Sequence, residues 1–334
     1  MIKDIKLPNT TIGKRIESNG LSVFPLYLKT GIKATVKSGL EMVDKALVNV
    51  KEVSDAGSVP TLYVTNDSPY HVLFVEGDQL VGAKQNRICN SSVLIAPKSF
   101  AEIPVSCVEQ GRWAAKTAVF ASSSNAATPE MRKILKESKR EARKAYSLQQ
   151  QQANRVEEPA SVVHEQAAVH NASQGAVWEK VETMQNFHAT PSQTGSMEDV
   201  FEAKRSLIER ALQTFKYPQD ARGWIIAING EIQTIEMFGK KRLCKKAWER
   251  VMRGCVLETI GKAQRRHLNK KGKPSKIPRV KEQQVLRALD RLSKLVWERV
   301  VAVSAGEEYR GDEGSLIGSQ LRLDGELVHL SAVV

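Results

Sequence analysis

The densest run of side chains able to do chemistry lies between Glu76 and Arg87, reading Glu-Gly-Asp-Gln-Leu-Val-Gly-Ala-Lys-Gln-Asn-Arg. A strand normally alternates apolar and polar residues, yet Lys84, Gln85, Asn86 and Arg87 are four consecutive hydrogen-bonding side chains, so they line a bend or project to both faces. Lys84 and Arg87 suit a phosphate or carboxylate, Gln85 and Asn86 suit a base, sugar or amide, and Glu76 or Asp78 suits a general base. A solvated hairpin tip, whose residues only turn the chain, fits the same run.

A second constellation spans residues 103–113, Ile-Pro-Val-Ser-Cys-Val-Glu-Gln-Gly-Arg-Trp. Alternation puts Ile103, Val105 and Cys107 on one strand face, which favours a buried thiol over a nucleophile, since a reactive cysteine needs an exposed, electropositive setting. Glu109 and Arg112 lie just past that strand, where they can face a ligand; Trp113 can stack on a planar group or cover the end of the sheet. The six histidines, His71, His164, His170, His188, His267 and His329, show no metal-ligand spacing, and His329 in an apolar strand reads as a core residue.

These groups need elements to hold them. The first 120 residues read as strands at 23–28, 48–53, 61–65, 71–75, 91–95 and 103–108, with a helix near 38–47, which predicts a small β-sandwich or partly closed barrel. Thr128-Pro129-Glu130 opens a long amphipathic helix that runs to the glutamine tract at 149–152, followed by a flexible crossing at 153–173. Helices are expected at 176–183 and 196–215, with Met197, Val200, Phe201, Leu207, Ile208 and Leu212 on one face, then at 245–259 and 283–303, the last from Val285, Leu289, Leu292, Val296 and Val300. Asn229-Gly230 predicts a hairpin between 223–228 and 231–237, and Asp324-Gly325 turns a short strand pair at the end. The expectation is therefore an α+β chain with a polar pocket in an N-terminal sandwich (1–120), a helical insertion and crossing (121–174), and a mostly helical C-terminal half (175–334).

Composition narrows the class. With 334 residues, 41% hydrophobic and 26% charged, the chain can bury a core, which excludes a disulfide-stapled miniprotein and disorder over the whole length. No run approaches the length of a spanning helix and the first ten residues carry no signal-type apolar stretch, so no membrane partner is expected. The four cysteines form no CxxC pair, which fits a reducing cytoplasm. Residues 240–281 hold 16 Lys or Arg against two acids, Glu249 and Glu258, so this segment carries +14 and the remainder −1 of the net +13. Such a segment, including the lysine-rich loop 261–278, is a solvated face or a weak, nonspecific arm for nucleic acid. It lacks the interleaved aromatics of a single-strand binder, Trp248 apart.

The stretches Val-Glu-Gly-Asp-Gln-Leu-Val-Gly-Ala-Lys-Gln-Asn-Arg-Ile-Cys-Asn-Ser-Ser-Val-Leu-Ile-Ala-Pro (75–97) and Ile-Pro-Val-Ser-Cys-Val-Glu-Gln-Gly-Arg-Trp (103–113) carry a family resemblance. So do 21–28, 175–181, 223–232 and 325–332. Together they resemble a prokaryotic family, the ARG and Rhodanese-Phosphatase-superfamily-associated protein domain. The resemblance implies association with ADP-ribosylglycohydrolase-like and phosphatase-like partners, hence nucleotide, NAD or ADP-ribose chemistry or its sensing in stress or defence systems, and it names no reaction or cofactor. Carried over, its polar motif falls on Glu76, Gly77, Lys84, Gln85, Asn86, Arg87, Asn90, Ser106, Glu109 and Arg112. The helix 128–152 and the loop 261–278 look like elaborations on it.

The expected function is an enzyme acting on a phosphorylated or sugar-bearing small molecule of nucleotide or ADP-ribose type. Lys84 and Arg87 hold its anionic groups, Gln85, Asn86, Asn90, Ser106 and Arg112 bind and orient it, and Glu76 or Glu109 serves as acid or base. The alternatives are a sensor with the same pocket and no turnover, and a nucleic-acid binder using 240–281.

Overall fold

Asn229 and Gly230 take positive φ of 55° and 86°, and the strands they join, Gly223–Ile228 and Glu231–Phe238, lie at the middle of the largest sheet. The computed structural model describes residues 2–3, 5–54, 60–153, 169–268 and 277–334. Among these, ten strands form one sheet. It runs from Ile2–Lys3 through Trp297–Val300, Glu307–Glu313, Leu316–Leu323, Glu326–Val333, Glu231–Phe238, Gly223–Ile228 and Leu21–Leu28 to Thr10–Ile12, with Ile16–Ser18 also on Leu21–Leu28. A six-stranded sheet, ordered Phe120–Ala126, Asp78–Gly82, Arg87–Cys89, Ser99–Cys107, Thr61–Asn66, Val48–Glu52, carries the two polar motifs. The third sheet joins Val93–Ile95, His71–Phe74 and Val36–Ser38.

The expected α+β class with a mostly helical C-terminal half is thereby corrected. The chain is β-rich, and six of the ten strands in the largest sheet come from its C-terminal half. Two sequence signals misled. The apolar spacing from Val285 to Val300 continues past the real end of the helix Glu282–Lys294; Leu295 is extended and Trp297–Val300 pairs with Glu307–Glu313. The strand Glu307–Glu313, Glu-Glu-Tyr-Arg-Gly-Asp-Glu, has no apolar alternation because one of its faces meets buried charges instead of a hydrophobic core. The pairing of Leu21–Leu28 with Gly223–Ile228 also joins segments from both sides of the boundary expected near residue 120.

Other elements match their signals. Thr128 Oγ1 accepts from the Met131 amide at the start of the helix Pro129–Ala153, and Ser196 caps Met197–Ala203. The stretch expected as one helix at 196–215 is two, Met197–Ala203 and Arg205–Leu212, and Leu207 on its expected apolar face is exposed. The helix expected at 245–259 extends over Lys241–Leu268, so the first part of the basic loop is helical. Positions 154–168, within the expected crossing, and 269–276, within that loop, lie outside the described residues. Met131, Leu135, Val177, Val181, Met252 and Trp224 meet in one apolar cluster that seats three of the helices on the sheets.

Candidate functional site

The polar run is a tight bend between Asp78–Gly82 and Arg87–Cys89, with Gly82 and Ala83 at positive φ. Its side chains turn inward. Gln85 donates through Nε2 to the Glu109 carbonyl at 2.9 Å and accepts from Arg87 Nη1 at 2.8 Å. Asn86 donates its backbone N–H to Glu109 Oε2 at 3.1 Å and its side-chain amide to Ser196 Oγ. Arg112 closes on Glu109 through Nε (2.9 Å) and Nη2 (2.6 Å), and its Nη1 caps the Ala83 and Ala114 carbonyls. Burial alone would raise the Glu109 carboxyl; Arg112, the Asn86 amide and Thr194 reverse that and hold it below the usual range. Arg87 is fully buried, 3.8 Å from Glu52. Lys84, half-buried, stands over the exposed Trp113 ring, 5.4 Å from its centroid. Lys84 apart, this constellation is a knot of internal hydrogen bonds that welds the bend to the strand Ser99–Cys107. Cys107 is buried and burial pushes its thiol up.

Glu76 does not join that group. It lies fully buried between two lysines of the helix Pro129–Ala153, with Lys136 Nζ 3.0 Å from Oε1 and Lys139 Nζ 2.6 Å from Oε2. Burial would raise its carboxyl, but the two ammonium groups overcome this and hold it far below the usual carboxylate range. Asn90 and Ser106 sit alongside: Ser106 Oγ donates to Asn90 Oδ1 at 2.8 Å, and the Asn90 carbonyl accepts from Lys139. The residues of the two sequence motifs thus split in space into an Arg112–Glu109 knot and a Glu76 centre.

The partners of Glu76 come from residues that no motif marked. Arg132, Lys136, Lys139 and Arg143 fall at helical spacing on one side of Pro129–Ala153. That side packs on the faces of Glu307–Glu313 and Leu316–Leu323 that carry Glu308, Arg310, Asp312 and Ser319. Lys136 donates to Ser319 Oγ at 2.9 Å, Arg143 pairs with Asp312 at 2.6 Å, and Arg310 pairs with Glu308. Burial drives Lys139 down to about 7, with Glu76 opposing and Arg310 and Lys136 reinforcing the fall. Lys136 is lowered for the same reasons, burial first.

A cleft opens against this centre. Lys136, Lys139, Arg140, Arg143 and Arg310 line it with a single carboxylate, Asp312, while Val169, Ile317 and the paired Gly311 and Gly318 supply its apolar and backbone walls. Glu76 and Glu308 stand behind the cations. A cationic, partly desolvated concavity of this kind favours an anionic ligand, with arginine forks for phosphate or carboxylate oxygens. Among the described residues no group of three His, Cys, Asp or Glu side chains is placed to hold a metal ion, and no helix is long and apolar enough to cross a membrane.

In the described part of the basic segment several cations are paired within the protein. On Lys241–Leu268, Arg242 and Lys246 pair with Glu41, Arg250 with Asp78, Arg253 with Glu209, and Lys262 with Glu258 and Glu130. These pairs clamp the helix to its neighbours.

A family model described as the ARG and Rhodanese-Phosphatase-superfamily-associated Protein domain matches residues 9–333. Comparisons with curated proteins and with solved structures find no match.

Proposed function

Since the chain belongs to the ARG and Rhodanese-Phosphatase-superfamily-associated Protein domain family, matched from residue 9 to residue 333, we propose that it binds and acts on a phosphorylated small molecule of nucleotide or ADP-ribose type. The site of this proposal is the cleft of Lys136, Lys139, Arg140, Arg143 and Arg310. One observation carries it: five cations line the cleft against one carboxylate. Lys136 and Lys139 share the single Glu76 carboxylate, Arg143 pairs with Asp312 and Arg310 with Glu308, so the five cations outnumber the carboxylates that balance them, and a bound phosphate adds the further negative charge. In this reading Glu76 anchors the two lysines: they hold it ionised, which rules out an acid, and far below the usual carboxylate range, which makes it a poor base. Arg112 and Glu109 shape the scaffold. Turnover distinguishes the enzyme from a sensor that uses the same donors. Four free, buried cysteines support action in a reducing compartment such as the cytoplasm. Against binding of nucleic acid through the helix Lys241–Leu268 stands the engagement of Arg242, Lys246, Arg250, Arg253 and Lys262 by Glu41, Asp78, Glu130, Glu209 and Glu258.

A thermal-shift series with ADP-ribose, ADP and inorganic phosphate tests the reading. A ligand at 100 times its dissociation constant stabilises the protein by about 2.7 kcal/mol. Stabilisation by the phosphate-bearing compounds and none by adenosine supports an anion cleft; equal shifts for adenosine, or none for any compound, contradict it.

A further inference from the structure

The run Lys240-Lys241-Arg242, which opens the basic segment, takes no part in the cleft of Lys136 and Arg310. Together with Lys37 and Arg222 it lines a separate groove of about 640 Å³, and no residue is common to the two. Five cations face one lining carboxylate there, Asp220. They come from three places in the fold: Lys37 from the strand Val36–Ser38, Arg222 from the entry to Gly223–Ile228, and the others from the start of the helix Lys241–Leu268. All five are within reach of a ligand from solvent. Lys241 and Arg242 expose more than half of their side chains, and Lys37, Arg222 and Lys240 are half-buried.

Their pairing is incomplete. Lys241 Nζ lies 2.8 Å from Asp220 Oδ1, and Arg242 Nη2 lies 2.7 Å from Glu41 Oε1, a carboxylate oxygen that Lys45 and Lys246 also approach. Lys37, Arg222 and Lys240 meet no carboxylate among the described residues. Lys37 Nζ stands 4.8 Å from the centroid of the Tyr70 ring, Arg222 Nη1 donates to the Thr30 carbonyl at 2.9 Å, and Lys240 Nζ donates to the Lys33 carbonyl at 3.3 Å. Such contacts orient the side chains and leave their charge to an incoming anion. The helix adds to the excess. Its first turn holds no acidic residue, so Lys240, Lys241 and Arg242 crowd the positive end of its dipole, where cations cost stability and an anion restores it.

The lining selects among anions. Cations supplied by three elements around a groove of this volume suit several linked phosphates better than a single one. A nucleobase finds little to stack on: among the described lining residues Tyr27 is the single aromatic, and it is half-buried. Its ring edge sits against Gly13, where a Cβ would come within 2.6 Å of Cε2. Leu28 and Val36 are buried. The stacked rings by which single-strand binders hold bases are therefore absent from the described lining. We propose that this groove binds a linear inorganic oligophosphate, gripped through its phosphate oxygens by Lys37, Arg222, Lys240, Lys241 and Arg242. It is a second anion site, independent of the cleft that takes the phosphorylated small molecule.

The test is a calorimetric titration of inorganic tripolyphosphate into three full-length proteins: the unsubstituted chain, a Lys240→Gln, Lys241→Gln variant, and an Arg140→Ala, Arg143→Ala variant. Expected are saturable binding to the first, affinity about tenfold or more weaker in the second, and unchanged affinity in the third. Orthophosphate and a short oligothymidylate should bind the unsubstituted chain more weakly than tripolyphosphate. Because Lys240 and Lys241 oppose the helix dipole, their replacement should leave the thermal midpoint equal or higher. A lower midpoint would make the two lysines structural and overturn the proposal. So would equal affinity in the first two proteins, weakening in the third, or no binding to the unsubstituted chain. Oligothymidylate or orthophosphate binding as tightly as tripolyphosphate would overturn it as well, the former by making the groove a nucleic-acid surface.

Discussion

Lys139 places its Nζ 2.6 Å from Oε2 of Glu76, with neither side chain meaningfully exposed, so an ion pair between a long helix and a strand end lies at the base of the cationic cleft. Lys136 completes the pairing on the other carboxylate oxygen. One carboxylate therefore compensates two buried ammonium groups. Removing it should leave both without a counter-ion. Glu76→Gln should destabilise the fold by about 3–5 kcal/mol, read as a lower denaturation midpoint with an unchanged m value; a change within 0.5 kcal/mol, the scale of ordinary surface substitutions, would contradict the pairing.

Lys139 also makes ligand affinity depend on pH. Its ammonium is lowered to about 7 in the folded protein by burial, with Arg310 and Lys136 reinforcing and Glu76 opposing. An anion bound beside it favours the protonated form and raises that value, so binding takes up a proton. Affinity for ADP-ribose, whose pyrophosphate stays ionised, should therefore weaken as pH rises from 7 to 9. Calorimetry in buffers of different ionisation enthalpy should show net proton uptake near pH 8. For stability the sign follows from the same depression: between the unfolded value of 10.5 and about 7 the unfolded chain binds the proton and the native state does not, so this group lowers stability as pH falls through that window.

The motif residues away from the cleft should behave as scaffold. Arg112→Ala leaves Glu109 buried and strips donors from the Gly82, Ala83 and Ala114 carbonyls, which should cost about 3–5 kcal/mol. Lys84→Ala, at a half-buried side chain over an exposed ring, should cost under about 1 kcal/mol. Urea unfolding of the two variants checks the contrast, and equal costs would contradict the geometry of the knot.

Cys107 should resist alkylation. It is buried and its thiol is pushed up by burial, although the Glu109 carbonyl contact and the Arg87 charge act the other way. Iodoacetamide on the native protein, followed by peptide mapping, should leave it unlabelled until denaturant is added. Rapid labelling without denaturant would show an exposed thiolate.

How much of this was legible in the sequence follows from which forces leave a pattern. Asn229-Gly230 and Asp324-Gly325 were readable because their positive φ restricts residue choice, and both hairpins are present. The helix from Pro129 was readable from its cap. Glu307–Glu313 was not, because a strand that buries charge against charge loses the apolar alternation that marks strands. For the same reason Lys136 and Lys139 read as the solvated side of an amphipathic helix, although they are among its most buried residues. Their spacing with Arg132 and Arg143 was the available signal, and the other lysines and arginines of that helix masked it. Glu76 was found from its motif; its partners lie 60 and 63 positions away, a separation that local pattern does not report. The polar run at Lys84–Arg87 marked an important structure, but most of it is satisfied from inside the protein.

The most direct test of the cleft as an anion site is a calorimetric titration of ADP-ribose into the unsubstituted protein and into an Arg140→Ala, Arg143→Ala double variant. Both arginines line the cleft, and neither contacts the Glu76 carboxylate that anchors the lysines. A charged hydrogen bond contributes about 1.5–3 kcal/mol, so losing even one should weaken binding about tenfold or more, and the loss should be accompanied by a smaller salt dependence of the affinity. Saturable binding to the unsubstituted protein that weakens in this way is the predicted result. Equal affinity for the two proteins, or no binding to either, would contradict the account.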